Sequence, residues 1–357
     1  MPRIRFATSF VYLILLTLHS CSTILYSQSS PRTYIAQKAS SKILIDGKPD
    51  ESAWASAKWS DDFIDIEGSK IPKYKTRMKM LWDDSNLYFY VEMDEPHVWA
   101  TLKERDTVIF YNNDFEVFID PDGDTHDYME FEMNALNTVW DLWLTKPYRN
   151  GPKVIDGWNI HKLETAVHIE GTLNNPNDID KGWSVEIAMP WKALLEASEQ
   201  NKMPVDEFWR INFSRVNWDF DLIGGRYVRK KDDHGKFLRE YNWVWSPQGV
   251  INMHEPEHWG YVYFSEDESH DFEIPKDEYL KWHLYKLARK VWAAEKDGKA
   301  KAEIKELGEA FEVEGKSLTP SFEEYHTGWS ISLESPFTKT ILRVKEDGKF
   351  ERVDSEG

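Results

Sequence analysis

The sequence predicts an all-β chain: an antiparallel two-sheet β-sandwich followed by a smaller helix-plus-hairpin extension. Three observations carry this. Apolar and polar residues alternate with period two through many short segments, turn residues punctuate them, and a three- and four-residue apolar rhythm develops only near the C-terminus. A length of 357 residues suits one large domain with an appendage.

The alternation is clearest over Asn86 to Asp94. Leu87, Phe89, Val91 and Met93 share one face, and Tyr88, Tyr90, Glu92 and Asp94 the other. Over 114–120, Phe115, Val117 and Ile119 oppose Glu116, Phe118 and Asp120. Over 128–134, Met129, Phe131 and Met133 point inward, and Glu130, Glu132 and Asn134 outward. Segments 138–145, 165–172, 182–189, 208–216 and 258–264 repeat the pattern, and a short helix is expected over 191–196, after Pro190. The sandwich is expected to span 41–264, with 28–40 as a Ser-rich tether before it and 265–275 as an acidic linker after it. In the extension, 276–357, Leu280, Leu284, Leu287, Val291 and Trp292 recur at helical steps. Asp297-Gly298 is expected to divide two helices within 275–311, and 327–353 reads as strands turning at Asp347-Gly348.

Acidic residues outnumber basic ones, 62 to 44, for a net charge of -18. Such a surface repels phosphate backbones and anionic lipid, which argues against nucleic acid and membrane surfaces as partners. The chain is rich in rings, with 17 Trp, 16 Tyr and 18 Phe. Rings of this kind fill β cores, and the surplus suits stacking on sugars. At the N-terminus, Arg3 and Arg5 precede the apolar run 10–18, which is too short to span a bilayer. Segment 1–27 therefore reads as an export signal. Cys21, the single cysteine, stands where a lipoprotein signal places its lipidated residue, and cleavage after Ser27 is the rival. The expected location is an outer-membrane or cell-surface lipoprotein, or the periplasm or medium, with the membrane touched only through the lipid.

Four segments, in order, resemble carbohydrate-binding module family 9 and its relatives: Ile45-Asp46-Gly47 through Trp54, Met80 through Tyr88, Asn113 through Pro121, and Gly182 through Trp191. The similarity runs over roughly 35–264. It implies a β-sandwich that holds a sugar chain between two aromatic rings while polar side chains read the hydroxyls. Carried over by position, the resemblance makes Glu116 and Asn217 hydroxyl readers, Tyr111 the first ring, and Trp245 the second, with Trp243 on the same face. Tyr111 stands where the family has Trp, and Glu132 stands near the family's basic contact. The implied function is non-catalytic capture of a poly- or oligosaccharide, in support of carbohydrate catabolism, beside glycoside hydrolases.

Other groups admit other chemistry. Asp120, Asp122 and Asp124 crowd an Asp-Gly turn whose oxygens suit a structural calcium, a metal the resemblance also implies. His254 and His258 have a four-residue step, but Pro256 between them argues against a helical zinc pair. Arg226, Arg229, Lys230 and Lys231 form a basic patch suited to an acidic sugar. Glycoside hydrolysis needs a carboxylate pair, for which Glu116 and Glu130 are candidates. A haem site would use Met93 and His97. Hydrolase and protein-interaction module are the alternative functions.

Overall fold

The computed structural model describes residues 30–267, 271–299 and 304–354. The export signal and Cys21 lie outside the described residues. β1 (Thr33–Lys38), helix α1 (Ser52–Ser56), β2 (Ile64–Asp65), β3 (Thr76–Trp82) and β4 (Asn86–Asp94) open the chain. β5 (Asp114–Asp120), β6 (Tyr128–Asn134), β7 (Val139–Leu144), β8 (Val154–Ile155), β9 (Glu164–Glu170) and β10 (Gly182–Pro190) follow. After α2 (Trp191–Leu194) come β11 (Phe208–Asn217), the hairpin β12 (Phe220–Ile223) and β13 (Arg226–Arg229), β14 (Tyr241–Val244) and β15 (Gly260–Ser265).

Thirteen of these strands form one sheet, in the order β8-β7-β6-β5-β11-β15-β1-β3-β4-β10-β9, with β14 joining β11 to β2. The sheet curls onto itself, so that β3, β4 and β10 pack on β5, β6 and β11. Phe89 of β4 meets Phe213 of β11 at 5.5 Å between ring centroids. The core between the halves holds the inward set read from the sequence, including Phe89, Val91, Phe115, Val117, Phe131 and Met133. Burial of such side chains stabilises by about 1.5–3 kcal/mol each.

Two expectations fail. Residues 33–38 form a strand rather than a tether. β1 runs parallel to β15 through 33–37 and then to β3 at Gln37 and Lys38, so it links the two halves. The Ser-rich flanks hide a strand of only six residues. In the extension, α3 (Lys276–Lys296) ends at Asp297, but no second α-helix follows among the described residues. A 3-10 turn at Lys305–Gly308 leads instead to β16 (Phe311–Val313) and β17 (Lys316–Leu318). A meander then follows: β18 (Ser321–Tyr325), β19 (Gly328–Glu334), β20 (Thr340–Lys345) and β21 (Phe350–Asp354). Leu280, Leu284, Leu287 and Val291 of α3 pack on Trp329, Ile331, Leu342 and Val344 of this sheet, a second core. No helix among the described residues is long and apolar enough to cross a membrane.

The family-like segments at 45–54 and 182–191 meet for a structural reason. Glu186 Oε2 accepts the backbone N–H of Asp46 and of Gly47, both at 2.8 Å, and Oε1 accepts Trp54 Nε1–H at 2.8 Å. Gly47 has φ +89°, and a Cβ there would lie 2.7 Å from the backbone nitrogen of His168, so only glycine fits. These residues clamp the opening segment over the β3–β4–β10 half and leave the other half to carry the site.

Candidate functional site

In β5 and β6 the residues that face away from the main core are Asp114, Glu116, Phe118 and Asp120, and Tyr128, Glu130, Glu132 and Asn134. The register sets Glu116 opposite Glu132 and Phe118 opposite Glu130, and β7 adds Trp140 opposite Glu132 and Leu142 opposite Glu130. This outer face has two parts. Around Asp120, Arg210 and Tyr261 it is covered by α3 and by β21. Around Glu116, Glu130 and Glu132 it lies under a cleft of about 960 Å³. Glu130, Glu132, Trp140 and Leu142 form the floor, Tyr148 and His254 one wall, and Tyr241, Asn242 and Phe110 the other.

The floor is acidic and little exposed. Glu130 and Glu132 are buried, as are Glu116 and Asp114 beside them. Burial raises all four carboxyls, Glu116 to about 7 and the others well above their ordinary range, and repulsion from nearby carboxylates, Glu240 in the case of Glu116, adds to it. Relief is slight: Glu132 Oε2 accepts Phe110 N–H at 2.9 Å and Asp114 Oδ1 accepts Val216 N–H at 3.3 Å. Tyr148, in the turn after β7, is 55% exposed and stacks on His254 at 5.0 Å. His254 is held by a 2.8 Å hydrogen bond between its Nδ1 and the Tyr128 hydroxyl, and burial with the charge of Arg149 lowers it to about 4.

The sequence-predicted site residues fare differently. Glu116 lies under the cleft floor. Trp243 and Trp245 belong to the core, Trp245 with 1% exposure, so neither offers a free face to a sugar. Trp245 packs on Phe213, and its ring lies where a Cβ on Gly260 would fall. The slot between Tyr111 and Trp245 is therefore not formed, because the period-two face of Trp243 and Trp245 is the one that Phe213 shares. Tyr111 is 45% exposed, but the Arg229 guanidinium covers its ring at 4.4 Å. Asn217 donates to Glu95 Oε2 at 2.7 Å, in a buried knot that includes Asn113 and Arg215.

At the metal candidates Asp120, Asp122 and Asp124, the carboxylates accept N–H groups of the chain itself. Asp120 accepts the N–H of Gly123 and of Thr125, both at 2.8 Å, Asp122 accepts that of Glu199 at 2.9 Å, and Asp124 that of His126 at 2.8 Å. The extension supplies the cations: Lys281 donates to the Gly123 carbonyl, and Lys349 Nζ lies 3.2 Å from Asp124. His258 pairs with Glu255 at 3.3 Å, while His254 belongs to the cleft wall. Met93 is in the main core, and His97 contacts Tyr227 at 3.2 Å. In the basic patch, Arg229 lies over Tyr111, Trp218 and Phe237, and Lys230 sits 3.8 Å from Asp221.

Tyr148 and Trp140 escaped the sequence reading, and Glu130 and Glu132 passed as solvent-facing. The usable signal was the pairing itself. A hairpin closed at 121–127 sets the acids of two alternating strands side by side, which is costly unless a ligand gains from it.

The fold and the cleft define a curled β-sandwich with an acid-floored cleft on one outer face. Residues 45–213, a little under half of the chain, match the family described as carbohydrate family 9 binding domain-like. Among solved structures, it is similar to a carbohydrate binding module family 9 from Caldicellulosiruptor kristjanssonii in complex with cellotriose. That match has a TM-score of 0.44 and 15% identity over 68% of this chain and 100% of that one. The same module in complex with glucose gives 0.44 and 13% over 68% and 100%. A protein from Bacteroides uniformis gives 0.49 and 14% over 66% and 100%. No curated protein matches the chain.

Proposed function

We propose that the chain is a non-catalytic carbohydrate-binding protein that takes a poly- or oligosaccharide into the cleft above β5, β6 and β7. The family of residues 45–213 supports the class. One observation carries the location: the cleft combines an exposed ring, Tyr148, with the buried carboxyls of Glu130 and Glu132 on its floor. Sugar hydroxyls need fixed partners, and a carboxyl kept out of water makes a strong one. Tyr148 contributes stacking worth about 1 kcal/mol, in a total near -8 kcal/mol that corresponds to micromolar affinity.

Titration calorimetry of the full chain against a panel of neutral and acidic oligosaccharides tests this. The expected result is micromolar binding that Tyr148→Ala weakens by roughly 5- to 10-fold, the equivalent of about 1 kcal/mol. No binding across the panel would overturn the class. Binding unchanged in both Tyr148→Ala and Glu130→Gln would move the site elsewhere. Release of reducing ends, abolished by Glu130→Gln, would replace capture with hydrolysis.

We further infer that the mature chain works outside the cytoplasm, tethered by lipid on Cys21, in support of carbohydrate catabolism beside glycoside hydrolases. Arg3, Arg5 and the apolar run 10–18 support export. Metabolic labelling with palmitate should mark the wild type and not Cys21→Ser. An exported but unlabelled wild type would favour cleavage after Ser27.

A further inference from the structure

We propose that Asp114, Glu116 and Glu132 form a calcium-binding site beneath the floor of the cleft. One carboxylate oxygen from each lies within 4.8 Å of the other two. Calcium takes oxygens at about 2.3–2.6 Å, so ligand oxygens on opposite sides of the ion are about 5 Å apart, and this spacing fits one shared ion.

Two observations beyond the acidity point to a ligand. Asp114 is fully buried, and its Oδ2 has no hydrogen-bond partner. An orphaned carboxylate oxygen in the interior is costly unless something absent from the chain itself satisfies it. Ser214, opposite Glu116 in the β5–β11 ladder and fully buried, turns its hydroxyl toward the Glu116 carboxyl without a hydrogen bond of regular geometry. It adds a neutral oxygen beside the carboxylates.

The charge balance points the same way. Three other buried acids have their own cations: Glu95 has Arg215, Glu278 has Arg210 and Lys281, and Glu257 has Arg289, while the buried Glu186 takes three N–H donors instead. The charges acting on Asp114, Glu116 and Glu132 come from further carboxylates, Glu130 and Glu240 among them. Near-complete burial excludes a bulky ammonium ligand and favours a bare ion. Magnesium keeps several waters and dehydrates reluctantly, so a tight all-carboxylate set selects calcium over it. The inference does not depend on the saccharide reading, because the ion binds without a sugar.

The test uses the full chain, stripped with EGTA, at pH 7.5 and without saccharide. Terbium should bind and luminesce on tryptophan excitation, since Trp140 stands opposite Glu132, and calcium should quench the signal by displacement. Calcium at about 100 times its dissociation constant should raise the melting temperature by about 5 °C or more, and magnesium by less. Both effects should disappear in Glu132→Gln and in Asp114→Asn, each verified as folded by circular dichroism. Wild type that shows neither terbium emission nor a calcium shift overturns the site. So does a calcium shift that persists at full size in both folded variants. Saccharide titration of the stripped protein reports on the cleft separately, so failure of one reading is distinguishable from failure of the other.

Discussion

The outer face of the β5–β11 sheet solves one problem in two ways. Where the extension covers it, the buried Glu278 meets several bases, two of them buried. Glu278 of α3 takes Arg210 at 3.5 Å, Lys281 at 3.7 Å, Arg352 at 3.1 Å and the Tyr261 hydroxyl at 2.8 Å, and it remains below the ordinary carboxylate range despite burial. Under the cleft, a few residues along the same strands, Asp114, Glu116, Glu130 and Glu132 are as buried and are held high, with two backbone N–H donors among them but no ion pair among the described residues. The first arrangement is complete within the chain. The second lacks a paired cation among the described residues, the place that the proposed calcium would fill. The difference separates an interface closed by the chain's own cations from an acidic surface without them on one continuous sheet.

The comparison breaks most visibly in the core that both parts share. Trp245→Ala should lower stability by about 3–5 kcal/mol, read as a shift in the urea midpoint, because it opens a large cavity against Phe213 and Gly260. Saccharide affinity of the folded fraction should hold. If affinity vanishes while stability stays, Trp245 is a stacking ring after all. Next in size is Lys281→Met, which leaves the carbonyl of Gly123 and the carboxylate of Glu278 short of a cation. A loss of about 3 kcal/mol is expected, since stripping one member from a buried charged set strands the rest. A loss below about 1 kcal/mol would mean that the extension is held by its apolar contacts alone.

Much of this organisation was legible in the sequence. The strand Asn86–Asp94 and the inward residues of β5 and β6 follow from alternation, and α3 follows from the Leu280, Leu284, Leu287 and Val291 steps. What alternation cannot say is which face of a strand is the core when both carry rings or acids. Trp243 and Trp245 share one face, and that face is interior. Glu130 and Glu132 followed the outward rule correctly, yet they are buried because Tyr148, Tyr241 and His254 rise around them. Lys281 was unreadable for the opposite reason. A lysine between core positions of an amphipathic helix passes as surface until a second domain closes over it.

The cleft wall gives a pH test of intermediate size. His254 is held neutral, with Tyr128, Tyr148 and Phe118 packed on it and Arg149 as the nearby charge. Its folded value of about 4 lies below the ordinary 6.5, so unfolding takes up a proton as pH falls. Stability should decline from about pH 6.5 down to pH 4 and level off below. At pH 5.5 this amounts to roughly 1.4 kcal/mol of difference between wild type and His254→Gln, each referred to its value at pH 8. The same variant difference removes the contribution of His283, which is also lowered to about 4. An imidazole that titrates near 6.5 by NMR would show the wall open to water.

The smallest effect is the sharpest, because its sign separates the two parts of the face. In calcium-free buffer at pH 8, Glu132→Gln should stabilise the protein by roughly 1 kcal/mol. The amide keeps the shape of the side chain and can still accept from Phe110 N–H, while the repulsion from Asp114, Glu116 and Glu130 falls. The corresponding change on the covered side, Glu278→Gln, should destabilise, since it leaves Arg210 and Lys281 facing a neutral group. Urea melts of the two variants beside wild type decide the matter. If both substitutions lower stability, the cleft carboxyls already have an internal partner, and the distinction between a finished interface and one that awaits a ligand collapses.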